Sequence, residues 1–416
     1  MNLERIQAEL AAQDLDGWLL YDFKGLNAIA ADVLGVAGRT LTRRWFCLIP
    51  RRGDPRLVAH AIERSHLADR VPGEPLVYAG REQLCARLEE LVATASEAAG
   101  RREGPPRLAM EYSPLAAVPT ASRVDAGTVE LVRASGADVV SSADLIQAVA
   151  ARWSARGLAL HREAAAVLTD AVRQAFAFIG ERLKSGAETT EIEVVRAIRA
   201  TLGAAGITTD DVPMVSANAA SADPHYQPTP ERSQPIRRGD FVLIDVWGKN
   251  RADPDAVYAD ITWVGFCAER VPDRVRHVFE VVRTARDRAL ALVQARLGPG
   301  GRGEVRGYEV DREARAVIAE AGFGDRFTHR TGHSLGPLDH WIGANIDDFE
   351  THDDRRLIPE TGFTIEPGIY IPGEFGVRSE IDVYIPAAGG PVVTTPPQHE
   401  VVAILASTAA AEACPS

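Results

Sequence analysis

Five side chains carry the strongest chemical signal in the sequence: Asp245, Asp260, His333, Glu366 and Glu380. Asp245 closes the β-branched run Phe241 to Asp245, where an ionised carboxylate is costly to bury without a cation. Asp260 repeats the arrangement between Tyr258 and Thr262, and His333 lies in a glycine-flanked turn. Glu366 sits between Phe363 and Gly368, and Glu380 follows Gly376-Val377-Arg378-Ser379. Each acid alone reads as an ordinary edge or surface position. Together, four carboxylates and one imidazole balance the charge of two divalent cations. A pair of such ions, about 3.5–4 Å apart, can hold a bridging hydroxide that is nucleophilic near neutral pH. Manganese or cobalt suits this carboxylate-rich set, and zinc is compatible with it.

Two other motifs point elsewhere. Gly298, Gly300 and Gly303 fit G-x-G-x-x-G, but a phosphate-binding loop must follow a strand, whereas these glycines follow a helical pattern ending at Leu297. They read as a helix-ending turn. Gly332 to Gly336 fits G-x-S-x-G, which would make Ser334 a nucleophile served by a later acid and His399. The preceding stretch, Phe327 to Thr331, is too polar for the buried strand that such an elbow requires.

The elements that must position these residues follow from periodicity. Leu3, Ile6 and Leu10 recur at helical spacing, and Leu84, Leu88 and Leu91 mark a second helix. Trp18 to Tyr21, Trp45 to Ile49, Arg56 to His60 and Leu108 to Glu111 read as strands. An α/β domain over 1–155 is therefore expected. A long helix follows, with an apolar stripe from Leu160 through Leu168 and Ala175 to Ile179, ended at Gly186. Thr190 and Glu193 then have the spacing of a capping box. Val212 to Pro235 reads as a long loop. Phe241 to Val246 and Ile261 to Phe266 read as strands, Asp273 to Leu297 and Val305 to Ala321 as helices, and the last hundred or so residues return to short strands. The second domain, 156–416, is α+β in style.

Composition excludes several classes of function. The 416 residues carry a formal charge of −12, so no general positive field gathers nucleic acid. The opening Met1 to Arg5 has an acid where a secretory signal has a basic end, and no apolar run reaches membrane-spanning length. A cytoplasmic protein that binds neither nucleic acid nor membrane is expected. Cys47, Cys85, Cys267 and Cys414 are too scattered for a zinc knuckle or disulfide framework, and read mostly as core filler.

The order Asp, Asp, His, Glu, Glu in these contexts resembles the pita-bread metallopeptidases, which include Xaa-Pro aminopeptidases, prolidases and methionine aminopeptidases. The larger members carry an N-terminal α/β domain of creatinase type, similar to 1–155, which tilts the resemblance toward the proline-directed branch. The resemblance implies that Asp245 chelates one ion, that Asp260 and Glu380 bridge both, and that His333 and Glu366 complete the second. Glu366 also takes the proton of the attacking water. His225 is similar to a loop histidine facing the substrate, His340 to one that steadies the tetrahedral intermediate, and Arg378 to an arginine near the substrate end. This chain departs from the usual pattern in four places. Fifteen positions separate Asp245 from Asp260, with an extra loop expected over Lys249 to Asp255. Arg330 stands where glycine is usual, Trp263 where a smaller or basic residue is frequent, and Ile381 where an acid is expected.

The function so implied is hydrolysis of the bond before proline in short peptides by a homodimeric dimetal enzyme. Trp247, Trp263 and Trp341 are candidates for an apolar wall against the pyrrolidine ring, and Arg378 for the cation beyond it. Two alternatives are a non-catalytic peptide-binding module and a hydrolase of a small non-peptide amide on the same fold.

Overall fold

The computed structural model describes residues 2–100, 103–301 and 303–406. The chain divides between Ala151 and Arg152 into two compact units, slightly before the expected boundary at residue 155.

The first unit is built on a six-stranded sheet in the order Leu76–Tyr78, Arg56–His60, Trp45–Pro50, Gly17–Asp22, Arg107–Met110, Asp138–Ser141. Gly17–Asp22 is central and buried along its whole length, so its sequence is a continuous apolar run rather than an alternating one. Helix Arg81–Ala99 lays Leu84, Leu88 and Leu91 into the core formed with Leu19, Leu48 and Met110. Of the buried acids in this unit, Glu111 is the most enclosed. Glu111 is fully buried and accepts hydrogen bonds from Trp18 Nε1 (2.6 Å), Asn27 Nδ2 (2.7 Å) and Ser142 Oγ (3.1 Å).

The second unit opens with helix Ala155–Lys184, whose first turn is capped by the Ser154 side chain on the Gly157 N–H. Gly186, at φ 73°, turns the chain just beyond its end. Helix Glu191–Ala204 follows, and the Glu193 carboxylate accepts the Thr190 N–H at 3.0 Å as the capping-box spacing predicts. Both helices pack on one face of an antiparallel hairpin, Phe241–Asn250 with Ala259–Phe266, through Val242, Ile244, Val246, Ile261 and Trp263. The other face contributes Phe241, Leu243 and Val264 to a second core with helices Asp273–Leu297 and Gly307–Glu320.

The hairpin register decides the site. Asp245 lies opposite Thr262 and Trp247 opposite Asp260. Residues opposite one another share a face, as do residues two apart. Asp245, Trp247, Asp260 and Thr262 therefore continue the row begun by Phe241, Leu243 and Val264. The added length between the two aspartates is taken up by a loop over 251–258. This loop begins two residues later than expected, because Lys249 and Asn250 stay in the strand and pair with Thr208 and Ile207. A second expectation is also corrected. Within the segment read as loop, Met214–Ala217 is a strand antiparallel to Phe241–Asn250. Its four residues are all buried, and the surrounding Pro, Asp and Asn residues hide so short a run.

The other strands close the site. Gly362–Ile365 pairs with both Ser334–Leu335 and Ile381–Tyr384, while Gly368–Ile371 and Phe375–Arg378 form a separate hairpin. Gly298 caps helix Asp273–Leu297 and begins no phosphate loop. No helix among the described residues is long and apolar enough to cross a membrane. Cys47 and Cys267 are buried, Cys85 is partly so, and all three are free thiols, while Cys414 lies outside the described residues.

Candidate metal centre

All five residues singled out by type and spacing meet in the second unit. His333 is placed by pairing with Gly362–Ile365: its N–H donates to Thr364 Oγ1 (3.0 Å), and its carbonyl accepts the Thr364 N–H (2.8 Å). A Cβ on Gly332 would lie 2.0 Å from the Thr364 carbonyl oxygen, so only glycine allows this approach. The Glu366 N–H donates to the Thr331 carbonyl (2.7 Å), bringing its carboxylate within 3.4 Å of His333 Nε2. Asp260 Oδ2 is 3.7 Å from the same nitrogen. Ligand atoms of Asp260, His333 and Glu380 all lie within 4.8 Å of one another.

His333 has the tautomer a ligand needs. Its Nδ1 is 3.4 Å from the Ser334 carbonyl oxygen, which can only accept, so Nδ1 carries the hydrogen and Nε2 presents its lone pair to Asp260 and Glu366. Thr262 Oγ1 reaches both Asp245 Oδ1 (2.9 Å) and Glu380 Oε2 (2.7 Å), and with one proton it donates to one of them at a time. Arg378 donates through Nη2 to Asp245 Oδ2 and through Nε to Thr262 Oγ1 (3.0 Å).

This donor set fits divalent cations. Asp260 Oδ1 and Glu380 Oε1 are buried with no hydrogen-bond partner, a costly state for a carboxylate. Burial and the neighbouring acids hold both carboxyl groups well above the usual range. Burial likewise raises Glu366 to about 7 against the opposing charge of Arg378, and drives His333 well below the usual histidine range. A cation reverses the preference of the three carboxyl groups, since it favours their ionised forms, and reinforces that of His333, since it binds a neutral imidazole.

The residues flank a cavity of ≈ 750 Å³, whose walls include His225, Trp247, Arg330, His340 and Arg378. His225 is exposed on the loop before Tyr226. His340 stacks on His333 with ring centroids 3.9 Å apart and 27° between planes. Of the three tryptophans expected as an apolar wall, only Trp247 lines this cavity, its indole N–H held by Asp210 Oδ1 at 2.6 Å. Trp263 lies at an odd position in a strand whose even positions face the site, so it packs in the opposite core. Trp341 covers Gly336, where a Cβ would meet the indole at 2.3 Å. Ser334 Oγ is buried without a hydrogen-bond partner, so no base activates it as a nucleophile.

Sequence reasoning missed Thr262, Asp339 and Asp382. Thr262 was within reach, since it stands two residues after Asp260 on the same strand face. Asp339, 9% exposed and with Oδ1 unpartnered, lines the cavity beside His340. Asp382 is fully buried and accepts the Asp260 N–H at 2.9 Å. Nothing in the local sequence marks Asp339 as buried, whereas Asp382, between Ile381 and Val383, stands in a β-branched run as Asp245 does.

Known proteins resemble this chain in sequence and in fold. Residues 159–387 match the model described as Metallopeptidase family M24. A Mycobacterium tuberculosis protein named "Probable dipeptidase PepE" is 31% identical over 218 residues, 52% of this chain and 52% of that protein. An Xaa-Pro dipeptidase of Lactobacillus delbrueckii subsp. lactis is 33% identical over 170 residues, 40% of each. The chain thus spans about half the length of the curated relatives it matches. Among solved structures, dipeptidase PepE from Mycobacterium ulcerans aligns with a TM-score of 0.65 at 22% identity, covering 97% of this chain and 96% of that one. An Xaa-Pro dipeptidase from Bacillus anthracis aligns at 0.57 and 22%, covering 96% and 98%. These likenesses show the fold, an α/β N-terminal domain of creatinase type followed by an α+β pita-bread domain. The matched segment contains Asp245, Asp260, His333, Glu366 and Glu380, and the chain belongs to metallopeptidase family M24.

Proposed function

We propose that the chain is a dimetal hydrolase cleaving the peptide bond before proline in short peptides, as an Xaa-Pro dipeptidase or aminopeptidase. The observation that carries the reading is the convergence of unpartnered, buried carboxylate oxygens on Asp260 and Glu380 with the bare Nε2 of His333 beside a peptide-sized cavity. Asp245, Asp260, His333, Glu366 and Glu380 would hold two divalent ions, with manganese or cobalt suited to the donor set. Bound there, the ions would supply the positive charge that makes water nucleophilic near neutral pH.

The chain's own groups do the rest. Glu366, on the wall of the cavity beside His333, would take a proton from the attacking water and return it to the leaving proline nitrogen. His340 faces the cavity as a donor to the carbonyl oxygen while charge develops on it. His225 and Trp247 both line the cavity, where His225 would meet the substrate backbone and Trp247 would supply an apolar face for the pyrrolidine ring. Arg378 is mostly committed to Asp245 and Thr262, so it steadies the metal-binding acids as well as the substrate end of the cavity. The reading places catalysis in the second unit of a cytoplasmic homodimer.

A chelator should abolish hydrolysis, manganese or cobalt should restore it, and serine-directed acylating reagents should have no effect. Xaa-Pro dipeptides and Xaa-Pro-Xaa tripeptides should be cleaved faster than the matching Xaa-Ala series. Full activity in metal-free protein would remove the dimetal reading. Equal kcat/KM for the two series would remove the proline preference alone.

A further inference from the structure

We infer that Arg330 is a positioning residue that fixes the tautomer of His340 and so makes its Nε2 a hydrogen-bond donor, excluded from metal ligation. The inference rests on the proposed hydrolytic reading for its kinetic consequence, but not for the tautomer itself.

Arg330 Nη2 lies 3.0 Å from His340 Nδ1. A guanidinium has donors only, so Nδ1 must offer its lone pair, and the proton of the neutral ring is on Nε2. That N–H points toward Asp339, whose Oδ2 is 3.6 Å away and beyond hydrogen-bond distance, which leaves it available to an oxygen entering the cavity. Arg330 is itself held, because its backbone N–H donates to Glu350 Oε1 (3.0 Å) and its Nη1 is 3.7 Å from Glu350 Oε2.

The stacked partner has the opposite tautomer. His333 carries hydrogen on Nδ1, against the Ser334 carbonyl, and has a bare Nε2. Two imidazoles with centroids 3.9 Å apart are thus given different tasks by what touches Nδ1, a carbonyl oxygen for the ligand and a guanidinium for the donor. His333, Asp339 and His340 are close enough to suggest an additional metal site. The occupied Nδ1 and protonated Nε2 of His340 rule that grouping out. Without Arg330, neither tautomer is imposed on the ring, and a fraction of molecules would turn a bare nitrogen toward the developing oxyanion.

The test uses zinc-loaded, diamagnetic protein with ¹⁵N-labelled histidine. Long-range ¹⁵N–¹H spectra report which ring nitrogen bears hydrogen, and His340→Gln identifies the resonances. The wild-type protein should show His340 with bare Nδ1 and protonated Nε2, and Arg330→Met should show mixed or reversed tautomers. Arg330→Met should also lower kcat for an Xaa-Pro dipeptide about tenfold, with KM changed less than about threefold and metal content by elemental analysis unchanged. Arg330→Gln, which keeps an N–H donor, should recover much of the loss. A wild-type His340 with hydrogen on Nδ1 would overturn the inference. So would wild-type kcat in an Arg330→Met protein whose tautomers are scrambled. The spectra decide the tautomer even if the protein cleaves no proline peptide, so the two readings fail separately.

Discussion

The core of the first unit and the candidate metal centre of the second treat a buried acid in opposite ways. Glu111 in the first has both carboxylate oxygens engaged, by Trp18, Asn27 and Ser142. Asp260 and Glu380 in the second are equally buried, yet each has an oxygen with no partner, and each lies among further acids. A saturated carboxylate ties secondary structure together and asks for nothing more. An unsaturated cluster is a liability until a cation arrives, and that liability is what makes it a binding site. Burial alone therefore does not distinguish structural acids from functional ones; the hydrogen-bond inventory does.

The contrast can be broken most severely by Glu380→Ala. If the unpartnered oxygens are metal ligands shared by both ions, elemental analysis should find both ions lost, with kcat/KM down at least about a thousandfold. Asp260→Ala should behave alike, while His333→Ala should chiefly weaken one site. Two ions tightly held in the Asp260→Ala protein would contradict the bridging assignment. His340→Ala should lower kcat by about a hundredfold with metal content intact, because it removes a donor rather than a ligand.

Glu111→Ala should leave metal content and specific activity alone but lower stability by about 2–3 kcal/mol, since three buried donors lose their acceptor. Denaturant titration measures this. Asp260→Asn should split by metal: a melting temperature raised a few degrees in chelated protein, where one crowded acid is gone, and lowered in loaded protein, where a ligand is lost. A shift of the same sign in both states would mean the acid is not under strain without a cation.

The smallest effect concerns acid. His161 is buried in the second unit between the Tyr258 carbonyl (2.7 Å) and Thr394 Oγ1 (2.6 Å), and burial lowers its pKa from 6.5 to about 4. The unfolded chain takes up that proton at higher pH than the folded one does. The contribution of His161 is therefore complete above about 6.5 and lost as the pH falls toward about 4. The difference in melting temperature between wild type and His161→Gln should shrink across that window. A constant difference would mean that the fold does not lower the pKa of His161.

Much of this protein was legible before any fold was known. Periodicity marked the helix Ala155–Lys184, the capping box at Thr190 and the two hairpin strands. Residue type and local context marked the four acids and one imidazole that meet at the candidate site, because a carboxylate in a β-branched run needs a reason to be there. Met214–Ala217 was not legible, since four residues among turn formers carry too little pattern. Asp339 was not legible either, because its burial comes from chain segments distant in sequence, whereas Asp382, between Ile381 and Val383, stands in the same kind of run as Asp245 and was passed over.

The sequence by itself determined which groups could bind cations, since valence and donor type belong to the side chain. Tertiary structure decided which oxygens were left without a partner and which nitrogen of each stacked histidine bears hydrogen. It also placed Trp247 alone of the three tryptophans in the cavity. Those outcomes depend on strand register and on contacts such as Arg330 with His340, and a shift of one residue in register turns a side chain to the other face of its sheet.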